Sequence, residues 1–181
     1  MNMEKKQITQ DELRDFIKAH NLKRARIADV AGLSDGSCAS CLNHQIINGG
    51  VPRSFTAQTV ARINEELPKM AEAIASCVMK WGTDPKELKK VYNVEKYDKA
   101  LVIPIKEKVA YFFNINPFLF RVVGWTLTKK HNVLETNTGK AHGNITQEEM
   151  NRINDELEFV SGWLLKRELV ADETSSDSSA G

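Results

Sequence analysis

At 181 residues, 41% hydrophobic and 27% charged, the chain has the makeup of an ordinary soluble globular protein of one large domain or two small ones. No apolar run reaches the roughly 18 residues of a membrane span, and the opening MNMEKKQITQDEL lacks the apolar core of a secretory signal. Three cysteines make no disulfide framework, so a cytoplasmic protein with no membrane partner is expected.

The first helix is carried by ITQDELRDFIKAH. Thr9 caps it, Glu12 reaches back to the cap's own N–H, and Ile8 staples onto Leu13, with Phe16 and Ile17 following at helical spacing. After NLKR, IADVAGLSDGSCASCLNH reads as two short apolar-periodic stretches hinged around residues 32–36. QIINGGVPRS is a loop, because Gly49, Gly50 and Pro52 suit a helix interior poorly. Thr56 caps a helix through Val60, Ile63 and Leu67. Pro68 suits the first turn of another, whose stripe is Met70, Ala73, Ile74, Cys77 and Trp81. Asp84 and Pro85 open a short helix, KELKKVY. VEKYDKALVIPI leaves two alternatives, a short strand or the lead-in to a helix after Pro104.

The second half reads like the first. IKEKVAYFF is an amphipathic helix, Asn116 and Pro117 start another, and TLTKKHNVLET is a third, followed by the loop NTGKAHGN. Thr146 and Glu149 form a second capping box, with Ile145 and Met150 as its staple. The last helix carries Ile153, Leu157, Val160 and Leu164 and runs up to Leu169. FTAQTVARINEEL, from Phe55, lies over ITQEEMNRINDEL, from Ile145, without a gap, which marks a duplicated structural unit. The expected architecture is all-α, with two tandem small helical lobes. Residues 1–82 form the first and 104–170 the second, with 83–103 as a connecting segment and 171–181 as a disordered tail. The stripes holding Met70, Trp81, Phe159 and Trp163 close each lobe's core, or pack lobe on lobe, or join two chains as a homodimer.

Net charge is +1, but the tail ADETSSDSSAG holds Asp172, Glu173 and Asp177, so the remainder carries +4. That permits a nucleic-acid partner without demanding one. Motifs decide more. In RARIADVAGLSDGSCASCLNH, Ala28 is a small residue at mid-helix and Gly32 follows four positions later, where a left-handed backbone costs other residues energy. Leu33, Cys38, Cys41 and Leu42 supply spaced apolar positions. Around them Ser34, Asp35, Gly36, Ser37, Ser40, Asn43, His44 and Gln45 are short or polar, as a groove-facing surface needs. The stretch resembles the helix-turn-helix of the lambda-repressor-like (Xre/Cro) DNA-binding family, and the resemblance runs from Ile8 to Leu67.

That resemblance implies sequence-specific binding of double-stranded DNA by a small bacterial or phage-type transcriptional regulator. It places Asp35, Gly36, Ser37 and Ser40 on the major groove and Asn43 near the sugar–phosphate rim. Asp35 at the leading edge repels phosphate and accepts only from a cytosine amine. Arg24, Arg26 and Arg53 flank the motif as candidate phosphate contacts.

The second copy departs from the pattern. Gly124 takes the turn, Trp125 the apolar place after it, and Val133 and Leu134 the second helix. Phe120 falls where Ala28 was, where a ring should push the helices apart, and Lys130 falls where Cys38 was, a position that should be buried. Its face is more basic, with Lys129, Lys130, His131 and Asn132 and then Lys140 and His142. It holds phosphates without reading sequence, or it serves packing or self-association. Two lobes reading one face of DNA would stand about 34–36 Å apart.

Cys38, Cys41 and His44 have zinc-like spacing, with Cys77 as a conceivable fourth ligand, yet both helix cysteines coincide with core positions, where a free thiol packs as a small hydrophobe. The four histidines are scattered, and the letters around Thr138 to Lys140 lack the upstream glycine and strand of a phosphate loop. No catalytic residue, metal site or cofactor is expected, and the chain reads as a non-enzyme. The alternative reading is a non-enzymatic protein-interaction module, an antitoxin-like or anti-repressor partner that reuses the fold. Modest charge, Asp35 and the degenerate second copy speak for it.

Overall fold

A computed structural model of the chain describes residues 4–46, 49–78, 81–82, 100–101, 108–134 and 146–171. The fold is all-α, with two short strand pairs among the described residues. It divides into two compact units, residues 1–73 with 161–181, and residues 74–160. No helix among the described residues is long and apolar enough to cross a membrane.

In the first unit β1 (Lys6–Ile8) leads into α1 (Gln10–Ala19), α2 (Arg24–Ala31), α3 (Asp35–Leu42) and α4 (Ala57–Ala75). Thr9 closes the expected capping box: its hydroxyl accepts from the Glu12 N–H at 3.1 Å while its own N–H donates to Glu12 Oε1. Each helix buries one stripe: Leu13, Phe16 and Ile17 of α1, Ile27, Ala28 and Ala31 of α2, Cys38, Cys41 and Leu42 of α3, and Val60, Ile63 and Leu67 of α4. Burial of these stripes is what holds such short helices, which are marginal in isolation. Gln10 is buried with them, and its Oε1 accepts the Phe55 N–H at 2.6 Å just ahead of α4.

Two expectations are corrected here. Pro68 does not begin a new helix; α4 runs through it as one element. An interior proline costs a backbone bond and a clash, about 3 kcal/mol. Leu67, Met70, Ala71 and Ile74 are all buried on either side of it, and at roughly 1.5–3 kcal/mol for each large side chain their burial outweighs that cost. Nor does the last helix reach Leu169. It is α8 (Gln147–Leu165), and Arg167–Leu169 form β4, parallel to β1 with Ile8 opposite Leu169. The Leu169 N–H donates to Asn64 Oδ1 and its carbonyl accepts from Asn64 Nδ2, both at 2.8 Å. Those partners replace the helical ones. Within the same unit Trp163 stacks on Phe16, centroids 3.7 Å apart and planes 7° off parallel, and Ser161 Oγ donates to the Ala71 carbonyl at 2.7 Å.

In the second unit β2 (Trp81–Gly82) pairs antiparallel with β3 (Ala100–Leu101), the two described residues of VEKYDKALVIPI; the rest of that stretch lies outside the described residues. Then come α5 (Ala110–Phe112), α6 (Ile115–Val123) and α7 (Leu127–Leu134). Thr146 and Glu149 form the second capping box, with both bonds at 3.0 Å, at the head of α8. The indole N–H of the buried Trp125 donates to the same Glu149 carboxylate. Burial opposes charge on Glu149, but the hydrogen bonds from Trp125 and Thr146 prevail and hold its carboxyl below the ordinary value. The expected KELKKVY helix, the NTGKAHGN loop and residues 172–181 lie outside the described residues.

Candidate nucleic-acid interface

The crossing of α2 and α3 turns on Gly32, which ends α2 with φ +71° and ψ +29° in the left-handed region. The Leu33 N–H reaches back to the Ala28 carbonyl at 2.9 Å, and Ala28 itself is buried. A Cβ at Gly32 would lie 2.7 Å from Arg62 Cζ. Arg62, from α4, drapes its guanidinium over the turn and donates from Nε to the Val30 carbonyl at 3.3 Å. Backbone conformation therefore favours glycine, and a Cβ would in addition displace the Arg62 guanidinium, the far end of a flexible side chain.

α3 then has two faces. Cys38, Cys41 and Leu42 point into the core. Burial, with the neighbouring Cys41 adding to it, pushes the Cys38 thiol up to about 11, and burial raises Cys41 as well. Neutral packed thiols make poor nucleophiles and poor ligands. The other face is polar and low. Ser34 caps the helix, its hydroxyl accepting the Ser37 N–H at 3.1 Å. Asp35 and Gly36 are exposed, while Ser37 and Ser40 are half-buried. Ser40 Oγ lies 3.0 Å from the Gly36 carbonyl and 2.8 Å from Gln45 Oε1. Asn43 is exposed at the C-terminal cap, its N–H donating to the Ala39 carbonyl at 3.0 Å, and Gln45 is exposed beyond it. Gly36 stands apart: a Cβ there would meet nothing within 4 Å among the described residues. A glycine inside a helix costs roughly 0.5–1 kcal/mol relative to alanine, and the described residues supply no steric reason for it.

Charges surround this face in pairs. Arg24, the first residue of α2, grips Asp35, the first of α3, through Nε–Oδ1 at 3.0 Å and Nη2–Oδ2 at 3.1 Å. The hydrogen bond from Arg24 holds the Asp35 carboxyl below its ordinary value, and the same bond raises Arg24 further. Arg26 pairs with Asp29 at 3.1 Å. His44, in a left-handed conformation at φ +50°, sets Nε2 2.9 Å from Asp11 Oδ1, tying the end of α3 to the start of α1. Asp11 also receives Arg14 Nη1 at 3.1 Å. Arg53 is half-buried and donates its backbone N–H to the Gln45 carbonyl at 3.0 Å, with its cation near Cys41. Nine of the groups singled out in the sequence thus fall on or beside α3 in the first unit: Arg24, Ser34, Asp35, Gly36, Ser37, Ser40, Asn43, His44 and Gln45.

In the second unit Gly124 ends α6 at φ +69°, and Thr126 Oγ accepts the Lys129 N–H at 3.2 Å as Ser34 does for Ser37. The burial pattern differs. Phe118 and Leu119 are buried and Phe120 is 65% exposed, so its ring swings out to solvent instead of wedging two helices apart. Lys130 is half-buried rather than a core residue. Lys129 is half-buried too, its ammonium 6.0 Å from the Trp125 ring centroid. His131 and Asn132 continue the α7 backbone, while Lys140 and His142 lie outside the described residues.

Two side chains that build this region escaped the sequence reading. Arg62 covers the turn and Asn64 clamps β4. Both belong to the repeated word at residues 62–67, so repetition flagged them, but letters alone assign no partner. Comparison of the chain with protein-family models, with curated proteins and with solved structures gives no match.

Proposed function

We propose that the chain binds double-stranded DNA sequence-specifically through α3, as a small bacterial or phage-type transcriptional regulator with a lambda-repressor-like helix-turn-helix. One observation carries the reading. α3 is joined to α2 by a left-handed Gly32 under Arg62, buries Cys38, Cys41 and Leu42, and leaves Asp35, Gly36, Asn43 and Gln45 to solvent. A helix held that way, with short polar side chains outward, fits the major groove of B-DNA. Arg26 and Arg53 flank it as phosphate contacts, and Asn43 orients on the groove rim. The reading is non-enzymatic and calls for no cofactor.

A second reading, a protein-interaction module, is favoured by two observations: Asp35 neutralises Arg24, and Phe120 and Leu127 of the second unit are 65% and 68% exposed. Titration of a random duplex at several salt concentrations separates them. DNA binding predicts an affinity that falls steeply with salt as condensed counterions are released; absent or salt-independent binding supports the interaction module. Within the DNA reading, Asn43→Ala weakens binding to a selected site more than to random duplex. Equal losses on both would remove Asn43 from any role in sequence choice.

A further inference from the structure

We propose that Arg24 reads a guanine, held in plane for that purpose by Asp35, instead of clamping a phosphate. This rests on the DNA-binding reading of α3 and assigns to the pair the recognition of one G·C base pair.

The atoms set the argument. A guanidinium has five N–H donors in a rigid plane. Asp35 takes the side-on fork, the Nε–H and one Nη2–H, at 3.0 and 3.1 Å. Of the three that remain, one N–H from Nη1 and one from Nη2 make the end-on fork, lying in the same plane and aimed away from the carboxylate. Guanine presents two acceptors to such a fork in the major groove, N7 and O6. The pair is accessible, with 45% of the Arg24 side chain and 53% of the Asp35 side chain exposed. It stands at the leading end of α3, beside Ser34 and next to Gly36, where no described residue within 4 Å of a Cβ closes the approach.

Charge decides between base and phosphate. Arg24 and Asp35 together carry no net charge, and a phosphate drawn to Arg24 comes within a few ångströms of a carboxylate of its own sign. The guanine edge is neutral and meets no such repulsion. Its paired cytosine offers an N4 amine, the one major-groove donor on that base pair, and Asp35 retains lone pairs to accept it. Acceptor, acceptor, donor on G·C therefore meets donor, donor, acceptor on Arg24–Asp35. Because Asp35 already fixes the arginine, less rotamer freedom is lost on binding.

The test uses the full chain. Bound duplexes are selected from a random pool, and affinities are then measured across salt concentrations for the wild type, Arg24→Ala, Arg24→Lys and Asp35→Asn, with Arg53→Ala as the phosphate-type comparison. The expected site contains a guanine whose replacement by 7-deazaguanine weakens wild-type binding roughly 10- to 100-fold and leaves Arg24→Ala unaffected. Arg24→Lys fails to restore discrimination, since an ammonium has no fork. Asp35→Asn loses discrimination while its affinity for random duplex rises. The slope of log affinity against log salt stays at the wild-type value in Arg24→Ala and falls by about 1 in Arg53→Ala.

Uniform weakening by Arg24→Ala on every sequence, with a slope lower by about 1, would make Arg24 a phosphate contact and overturn the proposal while DNA binding stands. An Asp35→Asn variant with discrimination intact overturns it as well. Absence of salt-dependent duplex binding by the wild type removes the DNA reading itself. The base-analogue arm needs only the wild-type protein, so a misfolded variant leaves the question answerable.

Discussion

Gly32 and Gly124 share a backbone conformation, φ +71° and +69°, but not a neighbourhood. A Cβ at Gly32 runs into the Arg62 guanidinium, whereas a Cβ at Gly124 meets nothing within 4 Å among the described residues. The arginine that stands in the corresponding word of the second half, Arg152, pairs with Glu148 at 2.7 Å. Gly32→Ala and Gly124→Ala should each cost about 1–2 kcal/mol for the left-handed backbone. Gly32→Ala should cost more, because Arg62 must also leave the Val30 carbonyl. Chemical denaturation of both variants measures this, and in an Arg62→Ala background the excess at Gly32 should vanish. If the two glycines prove equally expensive to replace, Arg62 does not crowd the turn. Glycine at these turns was expected from the helix-turn-helix resemblance, and left-handed backbone is a conformation other residues adopt only at a cost. The crowding at Gly32 was not legible, because Arg62 lies 30 positions further along the chain.

Among the elements, the capping boxes matched expectation, while the helix start at Pro68 and the helical end at residues 166–169 did not. Both capping boxes formed, Thr9 with Glu12 and Thr146 with Glu149, because a cap needs only a hydroxyl and a carboxylate three positions apart. The helical lead of residues 166–169 was misjudged because strand pairing with β1 joins residues near opposite ends of the described chain, and periodicity carries no sign of it. Asn64 is the lever on that pairing. Asn64→Ala strips the Leu169 N–H and carbonyl of their partners in a half-buried place, and should destabilise the first unit by about 1–3 kcal/mol. Hydrogen exchange at the Leu169 amide reports it directly. Protection at that amide unchanged in the variant would show that β1 alone holds β4.

Over the whole molecule, the first unit is assembled from both ends of the described chain, residues up to Ala73 and residues from Ser161 onward. Leu164 and Leu169 are buried and Trp163 is stacked on Phe16. The two leucines alone contribute roughly 3–6 kcal/mol of apolar burial, a large share of the stability of a small domain. A chain ended after Val160 should therefore lose amide protection in α1–α3, and with it the proposed duplex binding, while amides of α6 keep theirs. Protection of α1–α3 surviving that truncation would mean that residues 1–73 close their own core. The sequence by itself determined the helical class, the caps and most apolar stripes, since each depends on side chains within about one or two helical turns of one another. The left-handed turn at residue 32 was expected from the helix-turn-helix resemblance, and the helix whose stripe was expected to reach Trp81 ends at Ala75, with Trp81 in β2. Only the tertiary structure decided that Arg24 is held by Asp35, that Arg62 roofs the turn, and that residues 161–169 return to the first unit. Those outcomes depend on which separated surfaces meet, and a string of local preferences carries no information on distance across the fold.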